Sequence, residues 1–450
     1  MEFWITVSMK ILNAKTQRHK EAKKSYFSFL FAPLQLCAFA FKYVQIFAFL
    51  ILLHTSLFGA IQLGADRIFQ EPYLKEIRGK KIALVTNQTG VLSTLESTIN
   101  ALKRRESEFS YTLKALFAPE HGLFGIQQAG ENVQKSTYQG MVVYSLHGET
   151  RRPTAEMLKG LDAILFDIQD IGCRSYTYIS TLFYVMEEAA KKNIPVIVLD
   201  RPNPLGGLIV DGPLLEAEYR SFVGYIKIPY VHGMTVGELA RFFNGEYKIN
   251  CPLVVVPMKG WKRMLSFQST GLQWIPTSPN IPDPIAACCY GITGILGELE
   301  IVNIGVGNTC PFRVILAPWI NAEAFTKMLQ KRNPPGLRFA PYYYRPSSGR
   351  YAKQDCQGAL ILIDNPVAVR PVSTCWHIFD CLKALYPSKV KQALKGAALK
   401  KDFFNKLCGT DKVWNLVLHD PSPFASLQSL HQSELKRFKE VRKRYLITEY

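Results

Sequence analysis

The sequence predicts a doubly wound α/β domain followed by a smaller α+β domain, and three observations carry that expectation. Short apolar runs alternate with helix-like amphipathic segments from residue 81 to residue 257. Several of these runs are apolar without interruption, as strands of a parallel sheet buried on both faces are. A stretch with four prolines at 275–284 then interrupts the alternation, and the pattern beyond it is mixed. At 450 residues the chain also exceeds what one hydrophobic core usually supports.

In chain order, residues 81–86 read as a strand, 94–104 as a helix, 113–118 as a strand and 141–145 as a shorter strand. Residues 154–160 look helical, 163–167 strand-like, and 179–192 form an amphipathic helix before a strand at 195–200. A helix follows at 235–244, with Thr235 as its cap and Glu238 at capping-box spacing, and 253–257 is the last strand of the sheet. Beyond the prolines, 311–317 and 359–364 read as strands, while 322–331, 375–386 and 427–444 read as helices. The expected division is a leader at 1–61, the α/β domain at 62–283 and the α+β domain at 284–450.

The leader is basic at 10–24 and apolar at 26–41 and 43–60, ending near the small residues Gly59 and Ala60. This is the layout of a signal peptide. The run is also long enough to remain as a membrane anchor. Export is expected, to the periplasm or to a membrane-anchored position facing it. The net charge of +18 concentrates at the ends, in 10–24 and 436–444, and no basic stripe interleaved with aromatics is present. That argues against a nucleic-acid partner. The ten cysteines include no Cys-x-x-Cys pair, and Cys251, Cys310 and Cys381 lie in apolar surroundings that suit small buried hydrophobes. Gly-x-Gly-x-x-Gly, His-Glu-x-x-His and Gly-x-Ser-x-Gly signatures are missing, so no metal or cofactor is expected.

Three apolar runs end in polar clusters: Glu120 and His121; Asp167, Gln169, Asp170 and Arg174; and Asp200, Arg201 and Asn203. Open parallel sheets bind ligands beyond their carboxyl ends, so these clusters point to one crevice. Glu120 beside Phe117 and Leu123 is expected to have a raised pKa and to act as a general acid. A loop-binding structural role is the alternative. Asp167 and Asp170 can bind a metal, activate water or hold sugar hydroxyls, with Arg174 as neutralising partner; the alternative is a buried Asp–Arg pair that organises the turn. Pro202 and Pro204 stiffen the loop carrying Asp200, Arg201 and Asn203, and His232 is a further crevice residue.

The segments APEHGLFG, FDIQDIGCRSYTYISTLFYVMEEA, VLDRPNPLGG, VDGPLL, SFVGYIKIPYVHGMTVGELA and TSPNIP closely resemble a bacterial family, the NamZ exo-β-N-acetylmuramidases. These enzymes remove N-acetylmuramic acid (MurNAc) from the non-reducing ends of peptidoglycan fragments. The resemblance runs from about Arg78 into the C-terminal region. It implies a Rossmann-like first domain holding the active site and a smaller second domain. It also implies Glu120 as catalytic acid, with Asp167 or Asp170 as second carboxylate. As substrate-binding residues it implies His121, Gln169, Arg174, Tyr176, Asp200, Arg201, Asn203, His232 and Glu298, and its partners would be peptidoglycan-derived sugars or muropeptides. One stretch departs. Relatives carry Glu-Gly-Thr-Asn-x-Ser-Glu-Gly-Arg-Gly-Thr-Thr where this chain has ELEIVNIGVGNT at 298–309, so that Ile304 and Val306 replace a glutamate and an arginine. The departure bears on sugar specificity, and a non-catalytic cell-wall glycan-binding protein on the same fold is the alternative function. Trp274 and Tyr290 are expected to help close the pocket of an exo-acting enzyme.

Overall fold

The structure is a computed structural model that describes residues 60–450 and, before them, Gln17 alone. The expected leader therefore lies outside the described residues. Ala60–Tyr450 is one compact unit.

Its main element is a seven-stranded sheet of β1 (Lys81–Thr86), β2 (Thr112–Ala118), β3 (Ser136–Tyr138), β4 (Met141–Ser145), β5 (Ala163–Asp167), β6 (Val196–Leu199) and, last in sequence, Leu253–Val256. The spatial order is β3-β4-β2-β1-β5-β6 and then Leu253–Val256; all pairings are parallel except that of β3 with β4. From β1 the chain winds outward through β2 to β4, returns to the other side of β1, and winds outward again from β5. The reversal makes the carboxyl ends of β1 and β5 the topological switch point, where such sheets place their ligands.

Burial on both faces explains why these strands are apolar throughout. Ala83 and Val85 of β1 join the core on one face, while Ile82 and Leu84 join the core on the other. The Tyr178–Ala190 and Val236–Glu246 helices cover the first face with Leu182, Phe183, Leu239 and Phe243; the Thr98–Arg104 helix covers the second with Ile99 and Leu102. Thr235 caps its helix as expected, accepting from the Glu238 amide while the Glu238 side chain returns to the Thr235 amide.

A two-stranded ribbon, β7 (Asp211–Leu214) with β8 (Pro229–Val231), follows the sheet's sixth strand. The smaller sheet is antiparallel and places Cys356–Ile363 between Val314–Ala317 and Leu337–Tyr344. Ile315, Phe339 and Ile361 from this sheet enter the same core as the first face of the large one.

Several elements differ from expectation. Residues 154–160 form only turns, closed by bonds such as Leu158 N–H to the Thr154 carbonyl. The helix expected from 94 begins at Thr98, because Leu95 takes a left-handed φ of 70° and Ser97 supplies the cap. The 427–444 helix is two, Phe424–Ser429 and Gln432–Arg442, parted where His431 has φ 61°. The Pro284–Glu298 helix was not anticipated; it is apolar around most of its circumference and gives no stripe to read. Among the described residues no helix is long and apolar enough to cross a membrane. The nine cysteines among them are all free.

Candidate active site

Glu120 leaves the carboxyl end of β2 through Pro119 and is buried. Its Oε2 accepts a hydrogen bond of 2.5 Å from the Thr177 hydroxyl, and its Oε1 accepts one of 2.8 Å from the Gly130 amide. His147, two residues beyond β4, brings Nε2 to 3.7 Å from the same Oε1. Burial pushes the Glu120 carboxyl up, but Thr177, Gly130 and the two imidazoles of His147 and His121 together outweigh it. The carboxyl therefore sits below the ordinary glutamate range. This corrects the raised pKa expected from its apolar sequence neighbours: tertiary donors, absent from the local sequence, decide the sign.

His121 adopts a φ of 68°, uncommon for a residue with a side chain, and Gly122 continues the tight turn. Its Nδ1 donates to the Gln127 carbonyl at 2.7 Å, and its ring meets Tyr178 edge-on. Tyr178 in turn packs edge-on against Tyr176 at 4.9 Å. The Tyr176 hydroxyl donates to the Thr277 hydroxyl and the Tyr178 hydroxyl to the Thr277 carbonyl, so Thr277 of the TSPNIP segment holds the tips of both rings. Gln88, just after β1, fixes the same segment through the Pro276 and Thr277 carbonyls.

Asp170 lies three residues beyond the end of β5, close enough to Tyr176 to raise its phenol. Its Oδ2 accepts from the Gly172 amide, while its Oδ1 is buried without a partner among the described residues. Burial is the largest influence on this group and pushes its pKa up to about 7. Asn87 Nδ2, Gln88 Oε1, Gln127 Oε1 and His147 Nδ1 are likewise buried and unpartnered. Buried polar atoms normally find partners, so such a gathering at one sheet edge marks where a polar ligand belongs.

The other expected residues have different surroundings. Asp167 is fully buried and takes two bonds from Arg201, at 2.6 and 2.9 Å, plus one from Thr98. Asp200 accepts from the Gly237 amide and the hydroxyls of Thr235 and Tyr450, tying the start of the Val236–Glu246 helix to the strand end. Gln169 donates to the carbonyls of Asp170 and Pro202, and Asn203 to that of Met234. Arg174 does not neutralise Asp167 or Asp170. Its guanidinium donates to the carbonyls of Pro213, Ile228, Leu407 and Cys408, and burial lowers it to about 10. His232 is fully buried, its Nδ1 accepts from the Met234 amide, and burial lowers it to about 3. Glu298 ends its helix with Lys400 and Glu300 as charged neighbours, and burial raises it. Ile304 packs on Gly297, where any side chain would collide with it.

A small cavity of about 20 Å³ adjoins the switch point, lined by Thr89, Gln169, Arg201, Phe267 and Trp274 among others. Tyr290, the other expected pocket-closing residue, shares a hydrogen bond with Ser175. Thr177, His147, Gly130, Asn87, Gln88 and Gln127 were not anticipated. Thr177 sits just before the Tyr178–Ala190 helix, inside the quoted FDIQDIGCRSYTYIS stretch; the others come from loops whose approach is set by the fold, just beyond strands or the PEHG turn. Among the described residues no cluster of three or more His, Cys, Asp or Glu is arranged to hold a metal.

Fold and site together define an α/β protein of the kind that works on a polar ligand with carboxyl groups at the switch point of its sheet. Residues 82–285 match the N-terminal and residues 288–447 the C-terminal model of the exo-β-N-acetylmuramidase NamZ family. The chain is 38% identical over 389 residues to the peptidoglycan β-N-acetylmuramidase NamZ of Bacillus subtilis (strain 168), covering 86% of this chain and 91% of that protein. A crystal structure of a DUF1343 family protein from Bacteroides fragilis NCTC 9343 superposes with a TM-score of 0.78 at 38% identity, covering 86% of this chain and 98% of that one. A second from the same organism gives 0.66 at 27% identity, over 86% and 99%. The chain belongs to the NamZ family.

Proposed function

We propose that the protein is an exo-acting glycoside hydrolase that releases MurNAc from the non-reducing ends of peptidoglycan fragments, with its chemistry at Glu120. The observation that carries this reading is that buried carboxyl groups beyond the two strands flanking β1 are pushed in opposite directions by their surroundings. Glycosidic cleavage needs one group to protonate the leaving oxygen and another to stay ionised beside the sugar ring. Groups whose surroundings push their pKa values apart take those two roles. Glu120 is held below the glutamate range, and Asp170 is pushed up to about 7. Asp170 therefore keeps a proton near neutrality and supplies it to the leaving oxygen. Glu120 remains a carboxylate, stabilising positive charge at the anomeric carbon or drawing a proton from attacking water. Asp167, bound on both oxygens by Arg201 and Thr98, supports the strand ends instead.

A leaving-group series tests this division. Proton donation matters for a sugar alkoxide and little for a nitrophenolate. Asp170→Asn is expected to lose about 10²–10⁴-fold on a disaccharide and far less on a nitrophenyl β-MurNAc glycoside. Glu120→Gln is expected to lose activity on both. The reverse pattern would make Glu120 the acid.

Export is part of the same proposal. The basic and apolar residues before Ala60 would bring the enzyme to peptidoglycan in the periplasm, cleaved or retained as an anchor. Cell fractionation with N-terminal sequencing of the mature protein decides between these, and a cytoplasmic full-length chain would refute both.

A further inference from the structure

We infer that His147 is a positioning residue for the reaction, its imidazole held against Oε1 of Glu120 by the ends of two neighbouring strands. The inference rests on the functional reading above and concerns a residue that no motif in the sequence singles out. β2 and β4 are parallel neighbours, and the ladder continues past them: Leu146 N–H donates to the Ala118 carbonyl at 2.8 Å. That bond puts Glu120, two residues after Ala118, beside His147. On its far side His147 accepts from the Val133 amide at 2.7 Å, and its own amide donates to the Ser145 hydroxyl. Gly148 permits this approach, because a Cβ there would stand 2.6 Å from the Val133 carbonyl. The ring rests on Phe222 at 5.6 Å and is almost wholly buried.

Three ionisable groups face this imidazole: Glu120, His121 at the end of β2, and Arg151 on the loop beyond His147. Burial and Arg151 favour the neutral ring, whereas Glu120 favours the charged one. Thr177 and the Gly130 amide fix Glu120 through neutral dipoles. His147 and His121 are its two imidazole neighbours, and of the two His147 lies in ion-pair range. As pH falls, a protonated His147 adds positive charge beside the carboxylate and keeps Glu120 ionised further into acid than it would otherwise remain. The unpartnered Nδ1 leaves the ring free to take that proton without breaking a bond.

The experiment is the pH profile of kcat/KM for wild type, His147→Gln and His147→Phe on a chromogenic β-MurNAc glycoside. Alongside it runs an NMR titration of the histidine ring signals in wild type and Glu120→Gln. Removing the imidazole is expected to move the acidic limb upward by about 0.5–1 pH unit, as loss of one neighbouring charge does. Reciprocally, the His147 ring signal is expected to titrate lower in Glu120→Gln than in wild type. A residue that only packs would lower kcat and leave the limb in place, and that result would overturn the inference. So would an unchanged ring titration. A wild type that turns over no glycoside would refute the functional reading, and the NMR arm would still decide the coupling.

Discussion

The carboxyl ends of β5 and β6 and the carboxyl end of β2 all deliver acidic side chains to the same edge of one sheet, yet their surroundings differ. Around Asp167 and Asp200 every carboxylate oxygen has a partner: Arg201 and Thr98 for the first; Gly237, Thr235, Tyr450 and the Arg201 amide for the second. Glu120 takes one neutral donor on each oxygen, from Thr177 and Gly130, whereas Asp170 Oδ1 and nearby atoms of His147, Asn87 and Gln127 have no partner among the described residues. Asp167 and Asp200 are thus tied to charged or helix-capping partners that brace the strand ends, whereas Glu120 and Asp170 are held by neutral donors alone or left with a free oxygen. Saturated groups are costly to break, whereas incomplete ones can be altered with modest cost to the fold.

The sharpest way to break this contrast is at Arg201. Arg201→Met leaves Asp167 buried without its ion-pair partner, with only the Thr98 hydroxyl bond remaining, and the fold is expected to lose about 3–5 kcal/mol in a denaturant melt. A loss near zero would mean that the pair is not the strut described here.

Asp170→Asn should have the opposite signature. A carboxyl raised in the fold contributes stability below its ordinary aspartate range and loses it as pH rises through about 7. Asparagine cannot ionise, so the variant's Tm should gain on wild type between about pH 4 and pH 7, while activity on natural substrates falls. A Tm difference that is flat with pH would contradict the raised carboxyl.

Tyr450→Phe is the mildest probe. It removes a hydroxyl that donates to Asp200 and accepts from the Met258 amide, at an expected cost of about 1–3 kcal/mol. kcat should be unchanged. A drop in kcat at full folding would place Asp200 in the chemistry.

How much of this was legible in the sequence follows the same line. β1, β4 and β5 could be read to the residue, because a strand buried on both faces is an unbroken apolar run. Leu337–Tyr344 could not: Pro341 argues against a strand, and only its place at the edge of the small sheet allows it. Glu120, Asp170 and Tyr176 were visible as motif residues. Their roles were not, because the pKa of Glu120 depends on Thr177, Gly130 and His147, which lie 57, 10 and 27 positions away. Arg174 was legible as a polar residue near the carboxylates, yet its partners Leu407 and Cys408 lie more than 230 positions downstream. Local spacing names the polar residues; the distant chain decides which are satisfied.

The most direct measurement is the release of sugar from a β-MurNAc glycoside and, in parallel, a β-GlcNAc glycoside by wild type and by folded Glu120→Gln. The expected result is MurNAc release by wild type, none from the GlcNAc compound, and a loss of about 10³-fold or more in the variant. Equal rates for variant and wild type, or muropeptide binding without turnover by either, would contradict it.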